Sequence, residues 1–335
     1  MRAGCARAAV LVLAMAAAGC GGTQSTLDPK SRASDDIATL WWWMLLIACV
    51  VFAGALGLIG IAWLRRRRPG LPVAEGEGGE KLDLGLVVLF GICIPITVNI
   101  AVFVVANFFV LKQTEAPAAT TTPMTIQVIG RQWFWEVRYP GTGAVSANEI
   151  HIPARTRVNV VATTGDVIHS FWVPQLNRKI DMIPGRRNRI LLESDKPGRY
   201  RGQCAEFCGI EHARMAMYVY VDEPAAFRRW LRGVAAPARP VTAGPARAGA
   251  TAFTRDQCAS CHTIRGTSAR GQVGPDLTHV GSRASIGALT LPNTATALRD
   301  WLADPQHPKP GNRMPDLGLS AADIRSLVAY LQELK

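Results

Sequence analysis

Gln203-Cys204-Ala205-Glu206-Phe207-Cys208-Gly209-Ile210-Glu211-His212-Ala213-Arg214-Met215-Ala216-Met217 is the stretch on which the reading of this chain turns. Two thiols sit four residues apart, a histidine follows four after the second, and a methionine three after that. His169, in Asp166-Val167-Ile168-His169-Ser170, offers a second imidazole from upstream. Thiolate, imidazole and thioether are soft to borderline ligands, a mixture that selects copper over magnesium or calcium. A single blue-copper ion needs one Cys, two His and a weak axial Met, so there is one thiolate too many here. Two Cys, two His and a Met suit two copper ions sharing both sulfurs. Two other readings stand beside this one. Cys204 and Cys208 could pair as a disulfide in an oxidising compartment, or join His169 and His212 around a tetrahedral zinc. Met215 has better ligand spacing than Met217, which reads as strand packing.

The sequence around this stretch alternates with period two. Residues 124–129, 158–162 and 218–221 are rich in Val, Ile and Tyr and read as strands. Pro140-Gly141, Pro184-Gly185 and Pro197-Gly198 punctuate them as turns. Several short strands at regular spacing predict an all-β sandwich or barrel over residues 122–222. Arg131-Gln132-Trp133-Phe134-Trp135-Glu136 reads as an aromatic cluster within a strand, mostly core.

Cys-x-Glu-x-Cys-Gly-x-x-His-x-x-Met, preceded by Asp-Val-x-His-Ser-Phe and by Lys179-Ile180-Asp181-Met182-Ile183-Pro184-Gly185-Arg186, resembles subunit II of cytochrome c oxidase. That resemblance implies a Greek-key cupredoxin fold carrying the dinuclear, mixed-valence CuA centre. It implies that Cys204 and Cys208 bridge two coppers, that His169 and Met215 complete one, and that His212 and the Glu206 carbonyl complete the other. The Glu206 carboxylate would face a magnesium shared with subunit I. Trp133 would be an exposed ring through which electrons enter. The ligand loop would lie between the last two strands, with His169 on a neighbouring loop.

A chain of 335 residues suggests two domains or slightly more. Its composition, 49% hydrophobic and 19% charged with a formal charge of +12, suits a globular protein with membrane segments. The basic residues cluster at 65–68 and along 228–247, beside membrane or linker segments, so they read as topology and spacing and not as a nucleic-acid surface. Residues 1–20 read as a signal peptide: Arg2 and Arg7, a short apolar core, then small residues. Ala17-Ala18-Gly19-Cys20 resembles a lipoprotein box with Ala in place of the usual Leu, which makes Cys20 a candidate for lipidation. Residues 41–64 and 84–111 are long and apolar enough to span a bilayer, which predicts a two-helix transmembrane hairpin over 41–111. Trp41 to Trp43 suit one interface, and Arg65 to Arg68 place the intervening loop in the cytoplasm. Everything after residue 112 is then outside a bacterial cytoplasmic membrane, on its periplasmic or extracellular face. Neither span contains a His, which a buried haem or copper site would need.

Residues 233–249 are Ala, Pro, Arg and Gly with almost no bulky apolar side chain, and read as a semi-stiff linker. Beyond it, over 250–335, stands Cys258-Ala259-Ser260-Cys261-His262, the attachment signature of a c-type haem. Met314, in Gly311-Asn312-Arg313-Met314-Pro315, resembles the distal-ligand loop of class I cytochromes c; His279 and His307 are the alternatives for the sixth iron position. Gly274-Pro275-Asp276-Leu277 resembles the proximal segment of that family, in which the Pro275 carbonyl would orient His262. The last helix carries an apolar stripe at Ile324, Leu327, Val328, Leu331 and Leu334 and packs an all-α domain.

Taken whole, the resemblance is to the bacterial caa3-type oxidases. It implies a proton-translocating cytochrome c oxidase in which this chain passes electrons from an external donor through haem c to CuA. From there they go to subunit I, where oxygen is reduced to water, with subunit III as a further partner. The donor would be an external cytochrome or a quinol–cytochrome c reductase complex; membrane lipid surrounds the spans, and no nucleic acid is involved. A copper-delivery protein is the reading from another class, but a complete ligand set and a haem serve no purpose there. A quinol-oxidase subunit lacks these copper ligands, and nitrous oxide reductase lacks the membrane hairpin and fused haem. The segment 122–222 carries 13 Lys and Arg against 9 Asp and Glu, and 248–335 carries 9 against 7. Two like-signed domains on a tether would meet by repeated local encounter and not by charge steering.

Overall fold

The computed structural model describes residues 22–66, 84–115 and 122–335. The signal-peptide reading of residues 1–20, Cys20 included, lies outside them, as does all but the start of the 65–83 loop. Ten strands build the middle of the chain: β1 (Met124–Arg131), β2 (Phe134–Tyr139), β3 (Ala144–Ala147), β4 (Glu149–Pro153), β5 (Val158–Thr164), β6 (His169–Trp172), β7 (Ile180–Met182), β8 (Asn188–Leu192), β9 (Gly198–Cys204) and β10 (Ala216–Asp222). They form two five-stranded sheets, ordered β3-β2-β1-β5-β8 and β4-β10-β9-β6-β7. The pairs β1–β5 and β4–β10 are parallel and the others antiparallel, so the chain passes between sheets as a Greek-key sandwich does.

Period-two burial makes the sandwich. Along β2, Trp135, Val137 and Tyr139 are buried while Arg138 is exposed. Along β10, Met217, Val219 and Val221 point inward. Tyr139 fixes the two sheets to each other: its hydroxyl donates to the His151 carbonyl at 3.0 Å and accepts from the His151 N–H at 2.8 Å. The aromatic cluster is not one strand, as expected, but a turn: β1 ends at Arg131, and Gln132 and Trp133 turn into β2. The Gln132 N–H is spent on the Asp166 carboxylate at 2.7 Å instead of on a ladder.

Two helices, Arg32–Leu64 (α1) and Leu84–Leu111 (α2), are long and apolar enough to cross a membrane. In α2 a π-helical stretch, Leu89–Cys93, leads directly into Pro95. Proline has no N–H for the preceding turn, and a wider turn is one way to absorb that. Helix α1 begins before its apolar run, and the segment leading into it is tied to the sandwich. The Lys30 N–H donates to the Gln175 carbonyl at 2.8 Å, and Ser34 Oγ reaches the same oxygen at 2.7 Å.

Helix α3 (Pro224–Ala235) caps the sandwich, with Phe227 buried and Trp230 stacked on His151 at 3.9 Å between centroids. The last domain is helical: α4 (Gly244–Arg255), α5 (Cys258–Cys261), α6 (Ala295–Ala303) and α7 (Ala321–Glu333). Side-chain caps start two of them, Thr294 accepting from the Ala297 N–H and Ser320 from the Asp323 N–H. Helices α4 and α7 cross at Gly249, where a Cβ would overlap the Ser326 carbonyl. Backbone cannot give way as a side-chain tip can, so Gly249→Ala should destabilise this domain by about 2–3 kcal/mol. Denaturant unfolding followed at the haem band checks it; an unchanged midpoint would mean the helices part freely.

Sandwich and helical domain belong to one compact unit. The linker is shorter than expected: α3 runs to Ala235 and α4 starts at Gly244, leaving residues 236–243. Those residues are themselves held, the Ala238 N–H by the Arg265 carbonyl at 2.8 Å and the Ala236 carbonyl by His279 Nε2 at 2.9 Å. Arg265 of the helical domain donates to the Gly143 and Ala235 carbonyls at 2.8 and 3.0 Å. The Ala284 N–H donates to the Glu149 carboxylate at 2.7 Å. Repeated encounter on a loose tether is therefore the wrong picture. Net charge did not forecast this, because the contacts use cations on backbone carbonyls and a buried acid on a backbone N–H, none of which depends on opposite net charges.

Candidate metal and haem sites

The edge where β9 ends and β10 begins carries the first site. Cys204 is the last residue of β9, Cys208 lies in the loop, His212 opens a single 3-10 turn (His212–Arg214), and Met215 precedes β10. His169 is not on a loop but is the first residue of β6, which pairs with β9 through Phe171 and Cys204. Cys204, Cys208, His169 and Met215 are buried. The Cys204 and Cys208 sulfurs stand 3.7 Å apart, well beyond the roughly 2.05 Å of a disulfide. Cys204 Sγ is 3.8 Å from His169 Nδ1, while Cys208 Sγ is 3.7 Å from His212 Nδ1 and 3.8 Å from Met215 Sδ. Two donors on one tetrahedral ion, with bonds of about 2.0–2.3 Å, lie about 3.3–3.8 Å apart. The donor set and its spacings thus fit bound metal. Among the described residues His169, Cys204 and Cys208 form one tight cluster of possible ligands, and His212 stands outside it, reached through Cys208. The Glu206 carbonyl faces Cys204 Sγ at 3.2 Å, and the Glu206 side chain is exposed.

Neighbours orient these donors. His169 Nε2 bonds the Asp166 carboxylate at 2.8 Å, which leaves Nδ1 free to face the thiol. Burial pushes Asp166 up and His169 down, but their mutual bond and the N–H groups of Gln132 and Val167 outweigh it. The net result is Asp166 low, His169 high, and a carboxylate that stays charged. The thiols titrate as a pair: the hydrogen bond between them draws Cys204 well below the usual thiol range and, together with burial, pushes Cys208 above it. Gly130 on β1 gives His169 its room, because a Cβ there would stand 2.7 Å from Cδ2 of the ring. Asp166→Ala should lower metal affinity about 10–100-fold by releasing the His169 ring. A metal-competition titration reads this, and unchanged affinity would mean packing alone orients the ring.

Trp133 is half-buried and not exposed as expected. Its indole N–H donates to the Cys208 carbonyl at 3.0 Å, and its own carbonyl accepts from Lys309 of the helical domain at 3.0 Å. The helical domain covers the face that the sequence reading left to solvent. Around the ligands Val167, Ile168 and Phe207 do remain exposed, Phe207 at 75%.

The second site lies in the helical domain. Cys258 and Cys261 form the two ends of α5, and His262 follows directly. His262 Nδ1 donates to the Pro275 carbonyl at 2.8 Å, so Nε2 is the free ring nitrogen. Burial keeps this imidazole below its usual range and hence neutral, so the Nε2 lone pair is free to donate. Gly274 lies flat against the ring, where any Cβ would overlap it. Met314 and Cys258 pack on the same apolar cluster, and Trp301 Nε1 donates to Met314 Sδ at 3.2 Å. The alternatives are otherwise placed: His279 is bonded to Ala236, and His307 is exposed. Gly130 and Lys309 had no part in the sequence reading, and Asp166 entered it only as a motif residue with no role of its own. Asp166 could have been found as the neighbour that a ligating His needs; Gly130 and Lys309 carry no local signal.

A cupredoxin-like sandwich with paired thiols, joined to a helical domain bearing a haem-attachment signature, defines a class of two-domain redox proteins. Residues 144–221 match the family described as cytochrome c oxidase subunit II, periplasmic domain, and residues 246–335 match the cytochrome c family. Cytochrome c oxidase subunit 2 of Alkalihalophilus pseudofirmus is 33% identical over 95% of this chain and 93% of its own length. The Bacillus subtilis protein of the same name is 28% identical over 95% and 94%. A crystal structure of the periplasmic domain of cytochrome oxidase subunit II from Bradyrhizobium japonicum is 33% identical, covering 34% of this chain and 94% of that one, with a TM-score of 0.33. The chain belongs to the cytochrome c oxidase subunit II family, in the form that carries a C-terminal cytochrome c domain.

Proposed function

We propose that this chain is the electron-entry subunit of a caa3-type, proton-pumping terminal oxidase in a bacterial cytoplasmic membrane. It takes electrons from an external cytochrome or a quinol–cytochrome c reductase complex and delivers them to subunit I, where oxygen is reduced. The observation that carries the reading is a pair of sulfurs 3.7 Å apart, each with an imidazole at metal-sharing distance, His169 at Cys204 and His212 at Cys208. When bound, a dinuclear copper pair and a covalent haem c each supply a one-electron carrier that needs no proton to turn over.

The residues do the rest. A copper pair would be held by Cys204 and Cys208, with His169 and Met215 as donors to one ion and His212 and the Glu206 carbonyl as donors to the other. Burial of the thiols keeps water from the sulfurs. Asp166 fixes the His169 tautomer, as Pro275 fixes that of His262. Cys258 and Cys261 would hold haem c, and His262 and Met314 would supply its iron with nitrogen and sulfur donors. The exposed Val167, Ile168 and Phe207 suit docking on subunit I, with the Glu206 carboxylate turned to a shared magnesium. Subunit III is a further partner, and lipidation at Cys20 a further anchor. Trp133 remains the conduit into the copper pair, now reached from within the chain.

A pulse of reductant delivered to the purified complex tests the route. Haem c should reduce first and the copper band second, at a rate independent of protein concentration and nearly independent of salt, since buried contacts are weakly screened. A rate falling tenfold or more with added salt would mean exposed patches dock the domains.

A further inference from the structure

Lys309 is a buried lysine, 2% exposed, and among the described residues no carboxylate stands within ion-pair distance of it. Its ammonium donates to three backbone carbonyls: Arg214 at 2.8 Å, Gly287 at 2.9 Å and Trp133 at 3.0 Å. Three donors meet three acceptors, which satisfies the group completely. The acceptors come from both domains. Arg214 immediately precedes Met215 in the ligand loop, Trp133 is the residue bonded to the Cys208 carbonyl, and Gly287 lies in the helical domain with Lys309 itself.

A second observation marks the same spot. Gly287, Ala288 and Leu289 are left-handed in succession, with φ of 63°, 60° and 66°. Two of the three are not glycine, and such a turn persists only where its surroundings hold it. Two of its carbonyls do so: Gly287 accepts from Lys309, and Ala288 from the Ala216 N–H at 3.4 Å, at the first residue of β10. Nearby, Arg313, next to Met314, donates to Gln132, whose amide donates on to the Cys208 carbonyl at 2.8 Å. The loop bearing Met314 is thus seated against the loop bearing the thiols.

We infer that Lys309 is a positioning residue that locks the cytochrome domain onto the metal-ligand loop of its own chain, so that transfer between the two centres starts from one fixed pose. The inference rests on the function proposed above. Burial pulls the ammonium down to about 8, a cost that a lysine bears only where its acceptors repay it. Without the ammonium, three buried carbonyls from two domains are left to find water, and they find it most readily by separating. Arginine cannot substitute: its planar fork is larger and does not converge on three carbonyls around one nitrogen.

The test uses the full chain in the assembled oxidase, as wild type, Lys309→Met and Lys309→Arg. Amide exchange at Ala284, which bonds Glu149 across the same interface, reports docking without reference to any cofactor. In Lys309→Met this amide should exchange at least tenfold faster. Haem-to-copper transfer should slow at least tenfold and become viscosity-dependent, while the absorption of each centre is unchanged. Lys309→Arg should not restore either quantity, and it decides the matter if the Met variant fails to fold. Wild-type exchange and wild-type transfer in a variant would overturn the inference, as would slowed transfer with unchanged exchange. Absence of any transfer in the wild type would instead sink the proposed function, and the Ala284 amide would still decide the role of Lys309.

Discussion

Cys208→Ser should abolish the electron-spin signal shared between two copper nuclei and leave the haem spectrum intact. Cys208 Sγ is the hub of the site, 3.7 Å from Cys204 Sγ and His212 Nδ1 and 3.8 Å from Met215 Sδ. A hydroxyl is smaller and harder than a thiolate and bridges soft copper poorly. The substitution therefore removes one bridge, and with it the sulfur that both His212 and Met215 face. Copper content should fall below two per chain, and any remaining spin should sit on a single nucleus. A fully retained shared signal would mean that Cys208 is not a bridge.

Met314→Ala should delete the weak sulfur-to-iron band at the red end of the haem spectrum and lower the haem potential, because Met/His ligation raises it. The side chain is held for this role by the Trp301 N–H on its sulfur at 3.2 Å and by the apolar cluster beneath it. His279 is spent on the Ala236 carbonyl and His307 faces solvent, so neither should replace it. His262, by contrast, should be indispensable for stable holoprotein. An unchanged spectrum in Met314→Ala, with an altered one in His307→Ala, would assign the iron ligand to His307.

What was legible in the sequence was local. The thiol–imidazole–thioether spacing in 204–215, the haem-attachment signature at 258–262 and the alternating strands each lie within one short window, where periodicity and spacing carry information. The sandwich and the helical last domain follow from such windows. What was not legible was set by contacts between distant residues. Trp133 is half-buried, its indole spent on the Cys208 carbonyl, 75 positions away, and its own carbonyl on Lys309, 176 positions away. The linker reading failed at both edges because α3 and α4 are stabilised by packing, Phe227 on the sandwich and Gly249 on α7. Net charges of like sign predicted weak mutual attraction, yet the domains meet through backbone carbonyls that no charge count includes. Gly130 looked like any strand glycine until His169 was found lying against it.

Metal analysis of the purified chain, joined to its electron-spin spectrum, bears most directly on the central claim. Paired thiolates at 3.7 Å with a histidine on each predict two coppers and one haem iron per chain, and a copper signal split by two nuclei. One zinc per chain with no copper would contradict it.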